Sequence, residues 1–242
     1  MTTEVRLSKY LAQKGLCSRR EADRYIEQGL VTVDGRVERH AWFRVQPEHK
    51  VELAHKARAT QDQQLTVLLN KPLGYVSSQP EKGYQGAVTL LTPENYAGDG
   101  KAPRITRRHT LAPAGRLDIN STGLLVLTQD GRIARSLIGN NSRVEKEYLV
   151  RHHGSVSDEQ LGKLRHGLHL DERELRPAKV KRLNDSQFRI VLVEGRKRQI
   201  RRMCELTGIE IAALKRVRVG KIKLGDLPRG NWRTLKPGES FV

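Results

Sequence analysis

The chain has 242 residues, 37% hydrophobic and 30% charged, with 45 Lys+Arg against 27 Asp+Glu and a formal charge of +18. That length carries one sizeable domain and a small module with an adequate core. No apolar run is long enough to span a bilayer, and the start, Met1-Thr2-Thr3-Glu4, has no signal pattern. Such a basic chain repels itself unless it meets a polyanion. Its cations are spread along the whole sequence rather than set beside an apolar anchor, so nucleic acid is the expected partner and a membrane is not.

Residues 1–53 read as a compact module. Leu7, Tyr10 and Leu11 stand at i, i+3 and i+4, predicting a short helix that Gly15 breaks. Ser18-Arg19-Arg20-Glu21 is a capping box opening a second helix with Ala22, Tyr25 and Ile26 inward and Gly29 at its end. Val31 and Val33 alternate with polar residues ahead of an Asp34-Gly35 hairpin turn, giving the order helix, helix, hairpin. Residues 54–64 are polar and lack alternation, which predicts a linker.

A second composition occupies 65–242. Val67-Leu68-Leu69 and Leu124-Leu125-Val126-Leu127 are runs typical of buried strands, and Phe188, Ile190 and Leu192 alternate along another. Helices are expected over 133–138, with Ile133, Ala134, Leu137 and Ile138 inward, from the capped Ser157 to Gly167, and over 199–206 with a stop at Gly208. Without regular βαβ spacing, this predicts an α+β fold: a helix-helix-hairpin module followed by a mixed, mainly antiparallel sheet flanked by helices. The Pro-, Gly- and Arg-rich stretch 92–110 fits either a mobile surface loop or a basic arm that orders on RNA. Cys17 and Cys204 form no spaced cluster, which suits a reducing cytoplasm. There is no phosphate loop, GxGxxG, HExxH or zinc spacing, and His152-His153 fall on opposite sides of a strand. No cofactor and no metal are expected, and the chain is expected to be a monomer.

Arg6, Lys9, Arg19, Arg20 and Arg24 lie on and beside the two N-terminal helices, leaving the Leu/Tyr/Ile stripe free for the hairpin. Five gathered cations hold phosphates with little base selectivity. The string RLSKYLAQKGLCSRREADRYIEQGLVTVDGRV closely resembles the S4 RNA-binding domain. On local features, Asp118 in Gly115-Arg116-Leu117-Asp118 reads as a turn cap before a buried strand. Yet GRLDINSTGLLVLTQDG resembles the catalytic motif of RNA pseudouridine synthases. NKPLGYVSS upstream, with EKEYLV and EGRKRQIRRM downstream, follows in the order of the RsuA/RluB/RluE/RluF-type branch, which joins an S4 module to a synthase domain. The resemblance covers nearly the whole chain and is weakest at 54–64 and 92–110.

That resemblance implies isomerisation of uridine to pseudouridine in ribosomal RNA. The N1–C1′ bond breaks, the base turns, and C5 joins C1′, with no redox change or phosphate transfer. It makes Asp118 the carboxylate that attacks carbon or removes a ribose proton. A buried carboxylate needs a fixed cation to stay ionised, a place the resemblance gives to Arg201. It makes Tyr148 the aromatic stacked on the uracil and Leu214 an apolar residue against the target base, and it sets Asn70-Lys71-Pro72 at the cleft border. The base must first leave its stack. Arg116 is a candidate prop for the vacated space, and Arg196, Lys197, Arg198 and Arg202 are candidate phosphate ligands. SRREADRYIEQG and RKRQIRRM resemble large-subunit (23S) members, notably the RluF-like group, whereas VTVDG and PEHKVEL resemble the small-subunit (16S) member; the large subunit is favoured. The rival readings are a tRNA substrate or an inactive S4-type assembly factor, and Asp118, Tyr148 and Arg201, all present in motif context, argue against the latter.

Overall fold

The computed structural model describes residues 4–78, 83–106, 109–139 and 141–242. Its N-terminal module runs β1 (Val5–Arg6), α1 (Leu7–Gln13), α2 (Arg19–Glu27), β2 (Val31–Val33), β3 (Arg36–Val37), β4 (Arg44–Val45) and β5 (Val51–Leu53). The capping box forms at α2: Ser18 Oγ accepts from Glu21 N at 3.2 Å and Glu21 Oε2 accepts from Ser18 N at 2.8 Å. Ala22, Tyr25 and Ile26 pack with Leu7, Leu11, Val31 and Val33 into one core, each large aliphatic contributing roughly 1.5–3 kcal/mol by burial. Asp34 and Gly35 both take positive φ, 51° and 78°, as a two-residue hairpin turn demands.

The stretch expected as a linker is instead helical. α3 (His55–Asp62) buries Ala57 in the core of the N-terminal module. A single small apolar residue gives no readable periodicity, so the contact that supports this helix is tertiary.

The remainder runs β6 (Thr66–Lys71), β7 (Ala112–Pro113), β8 (Thr122–Thr128), α4 (Gly131–Ile138), β9 (Lys146–His152), α5 (Asp158–Arg165), β10 (His169–Leu170), β11 (Arg173–Glu174), β12 (Lys179–Asn184), β13 (Gln187–Leu192), α6 (Gln199–Leu206), β14 (Ile211–Val219), β15 (Ile222–Lys223) and β16 (Trp232–Thr234). A nine-stranded sheet is ordered β12-β13-β9-β14-β8-β6-β16, with β15 on β14 and β7 on β8. Every pairing is antiparallel except β14 with β8, so the expected mixed, mainly antiparallel sheet is present. β6 and β8 are covered on both faces. Leu68, Leu124 and Val126 pack with Leu137 of α4, while Val67, Leu69, Leu125 and Leu127 pack with Leu117 and Trp232. The other half of the sheet packs Val150, Phe188, Ile190 and Leu214 beneath α5 and α6.

Gly123 permits the parallel pairing of β14 with β8. Its φ is 102°, and a Cβ there would stand 2.1 Å from the Arg216 carbonyl oxygen, closer than any side chain tolerates.

Two expectations change. Ile138, placed inward by its spacing, is 53% exposed, because α4 ends there, whereas Leu137 is buried and Ile133 and Ala134 pack against the same core. The stretch 92–110 is anchored at several points. Trp232 Nε1 donates to Thr92 O at 2.8 Å, Tyr96 stands edge-on to Trp232 at 4.8 Å, and Ile105 packs on the same core. Arg107 and Arg108 of that stretch lie outside the described residues. Among the described residues no helix is long and apolar enough to cross a membrane. Both cysteines are buried and free, and burial pushes each thiol up to about 12.

Candidate active site

A cleft of about 830 Å³ opens where the two halves of the sheet meet, and Asp118, Tyr148 and Leu214 all line it. Tyr148, on β9, packs against the cores on both sides of it. The strand order puts β9 beside β14 and β14 beside β8. Residues far apart in sequence are therefore gathered around the loop that precedes β8.

That loop is held from several directions. Ser77 Oγ donates to Leu117 O at 2.7 Å and accepts from Leu117 N at 2.8 Å. Ser121 N donates to Asp118 O at 3.0 Å, and Gly74 N to Ile119 O at 3.0 Å. From beneath comes Arg216, 1% exposed. Its Nε donates to Leu124 O at 2.7 Å, Nη2 to Gly115 O at 2.9 Å and Nη1 to Arg116 O at 3.4 Å. Its guanidinium also lies 5.9 Å from the Tyr148 ring centroid. A planar fork with fixed charge suits several carbonyls at once. The Asp118 side chain itself is 30% exposed, so a fixed backbone presents a reachable carboxylate.

Two cations act on that carboxylate, Arg201 and Lys71. Arg201 of α6 is 15% exposed, and its Nε stands 3.9 Å from Asp118 Oδ2. Its Nη2 donates to Asn120 O at 2.8 Å, while Nε has no hydrogen-bond partner among the described residues. A carboxylate shift of about 1 Å would turn the ion pair into a charge-assisted bond, the tightening expected when a substrate closes a site. Burial, with Arg198 adding to it, presses the Arg201 pKa down, and Asp118 opposes them. Lys71 is fully buried at the end of β6, its Nζ donating to Pro72 O at 2.8 Å and Tyr75 O at 2.9 Å. Burial lowers it to about 8, with Arg216 adding to the fall and Asp118 resisting. Lys146, on the cleft wall, falls to about 8 by burial and by the charge of Arg216.

The basic candidates divide. Arg116, Lys197 and Arg198 are exposed on the cleft rim. Arg198 holds a left-handed conformation, φ 52°, at the N-cap of α6. Arg196 faces the same cleft, but its guanidinium donates to Leu170 O at 2.6 Å, Glu174 O at 2.9 Å and Arg173 O at 3.2 Å. Arg202 is turned aside, paired with both oxygens of Asp171 at 2.7 and 3.0 Å. These last two are ties within the fold rather than free cations. Arg6, Lys9, Arg19, Arg20 and Arg24 are exposed on the N-terminal module, and none of them has an ion pair among the described residues. Sequence reasoning missed Arg216, Ser77 and Lys146. Arg216 gave a weak signal, a charged residue on a strand beside the exposed Lys215, but its partners lie about a hundred residues away.

Known proteins resemble this chain in sequence and in fold. The sequence pattern of the RNA pseudouridylate synthase family matches residues 65–206, and that of the S4 domain matches residues 5–51. The dual-specificity RNA pseudouridine synthase RluF of Escherichia coli O6:H1 is 36% identical over 239 residues, covering 98% of this chain and 77% of that protein. The ribosomal small subunit pseudouridine synthase A of Escherichia coli K12 is 34% identical over 238 residues, covering 97% of this chain and 98% of that protein. A crystal structure of a pseudouridylate synthase matches with a TM-score of 0.66 at 25% identity, covering 96% of each chain.

Proposed function

The chain belongs to the RNA pseudouridylate synthase family, in its S4-bearing branch, and from that premise we propose that it isomerises a uridine of ribosomal RNA, in the large subunit (23S), with Asp118 as the reacting carboxylate. The observation that carries this reading is Asp118, paired with Arg201 behind it, in a cleft that Tyr148 and Leu214 also line. The uridine leaves its stack and enters the cleft. Its ring lies on Tyr148 and Leu214, which bury its apolar face. Asp118 then acts at the ribose, either attacking C1′ or removing a ribose proton. The N1–C1′ bond breaks, the uracil turns, and C5 bonds to C1′. The proton leaving C5 and the one gained at N1 balance, and Tyr148 is positioned to assist that removal. Arg201 keeps the carboxylate ionised and oriented, Arg116 props the space the base vacates, and Lys197 and Arg198 at the rim meet the flanking phosphates. The basic face of the N-terminal module supplies further phosphate contacts. Resemblance to the RluF group supports the large subunit.

The test is pseudouridine mapping on deproteinised 23S and 16S rRNA, by carbodiimide-dependent primer-extension stops. Wild type is expected to create one stop in 23S rRNA, and Asp118→Asn to lower its rate at least about a thousandfold. Equal stops with both proteins would remove Asp118 from the chemistry. A stop confined to 16S rRNA would keep the enzyme and overturn the large-subunit assignment.

A further inference from the structure

Trp42 is 68% exposed, although Phe43 beside it is half-buried against the core of the N-terminal module. An indole left in water at the tip of an ordered turn does nothing for the fold. The turn itself is firmly built. Glu38 Oε1 accepts from Arg39 N and His40 N, each at 2.8 Å, and lies 2.8 Å from His40 Nδ1. Phe43 N donates to His40 O at 3.0 Å, and Leu7 N, opening α1, donates to Phe43 O at 2.7 Å. The His40 ring is tilted 45° to the indole at 5.0 Å. Through the Arg6–Arg44 pairing of β1 and β4, Trp42 adjoins the cations at the start of α1. Arg36, Arg39 and Arg44 are exposed on the same hairpin segment, Arg39 donating to Glu27 O at 3.1 Å and Arg44 standing 3.9 Å from Glu4.

We infer that Trp42, with His40, is a stacking site for an unpaired RNA nucleobase, beside the phosphate-binding face of α1 and α2. This rests on the RNA reading proposed above. The occupant has to be flat, to cover an indole, and anionic, to sit among arginines without adding to a charge of +18. An unpaired nucleotide meets both needs: its base stacks while its phosphate meets Arg6. A second copy of this chain would bring like charge to the same rim. The prearranged turn lowers the entropy lost on binding.

The chain's two tryptophans separate the signal, since Trp232 is 1% exposed and Trp42 is not buried. Full-length protein is titrated with single-stranded oligoadenylate and, separately, with heparin, a polyanion without bases. Oligoadenylate is expected to quench the exposed-indole emission and heparin to leave it. Trp42→Ala should bind oligoadenylate about tenfold more weakly, and Trp42→Phe should restore most of the loss. Both variants should melt with wild type, because the side chain packs little. Equal quenching by heparin, or unchanged affinity in Trp42→Ala, would overturn the stacking site. Pseudouridine formation on rRNA, measured in parallel, separates the two failures. Activity with an indifferent Trp42 removes only this site, and no activity removes the function it rests on.

Discussion

The same residue type does opposite work in the two halves of the molecule. On β1 and α2, Arg6, Arg19, Arg20 and Arg24 are exposed and, among the described residues, outside the ion pairs of the fold. Around the cleft, Arg216 and Arg196 are tied to backbone carbonyls, and Arg201 is held between Asn120 O and Asp118. A guanidinium whose donors are satisfied internally fixes geometry and responds little to salt. One left in water attracts polyanions and responds strongly. The cleft therefore depends on order, and the N-terminal face on charge.

The sharpest way to break that division is Arg216→Ala. The substitution strips the donor from Leu124 O, Gly115 O and Arg116 O inside a closed layer. Each orphaned carbonyl costs about 1–3 kcal/mol. A destabilisation of about 3–5 kcal/mol is expected in urea unfolding. At a temperature where the variant stays folded, kcat should fall about a hundredfold, because the loop carrying Asp118 loses its floor. A variant as stable and as active as wild type would show that Arg216 is incidental.

Why Arg216 escaped a reading of the sequence, while Ser18 and Ser157 did not, is a matter of range. The two capping boxes close over three residues, so their chemistry is visible in four letters. The Asp34-Gly35 turn is equally local. The mixed sheet follows from strand-like runs without βαβ spacing, and the pairing of Asp118 with Arg201 was expected only from the resemblance to the synthase family. Arg216, Arg196 and Arg202 look alike in sequence. What separates them is which carbonyls or carboxylates the topology brings within 3 Å, and no local pattern carries that. α3 was missed for a related reason: its support is Ala57 in a core built by other elements.

A smaller effect comes from the buried amines. Lys71 and Lys146 fall to about 8 from 10.5. Between those values the unfolded chain holds protons that the folded chain has released, so stability rises with pH; below pH 8 the full penalty of the buried charge remains. The thiols act the other way. Cys17 and Cys204 are raised from 9.0 to about 12, so above pH 9 the unfolded chain ionises first and stability falls. The rise is thus cleanest between about pH 8 and 9. Lys146→Met removes one buried charge and one hydrogen bond to Val144 O. It should stabilise the protein by about 2 kcal/mol at pH 7 and flatten the rise by about half. Melting curves at pH 7, 8 and 9 that run parallel to wild type would refute the assignment.

The mildest test addresses charge without order. Arg19→Ala combined with Arg20→Ala removes two exposed cations at the start of α2 and leaves its capping box intact. Stability should stay within about 0.5 kcal/mol, since surface changes away from buried networks rarely do more. Affinity for an rRNA fragment should fall about tenfold near 0.1 M salt, and the slope of log K against log salt should shrink by about 1.5, the release expected for two phosphate contacts. Bound substrate should still react at the wild-type kcat, because nothing near Asp118 has moved. Arg216→Ala should do the reverse, leaving the salt slope unchanged while kcat falls. If instead the double variant kept the full slope, phosphates would not be meeting this face, and the contrast between the two sets of arginines would fail at its exposed half.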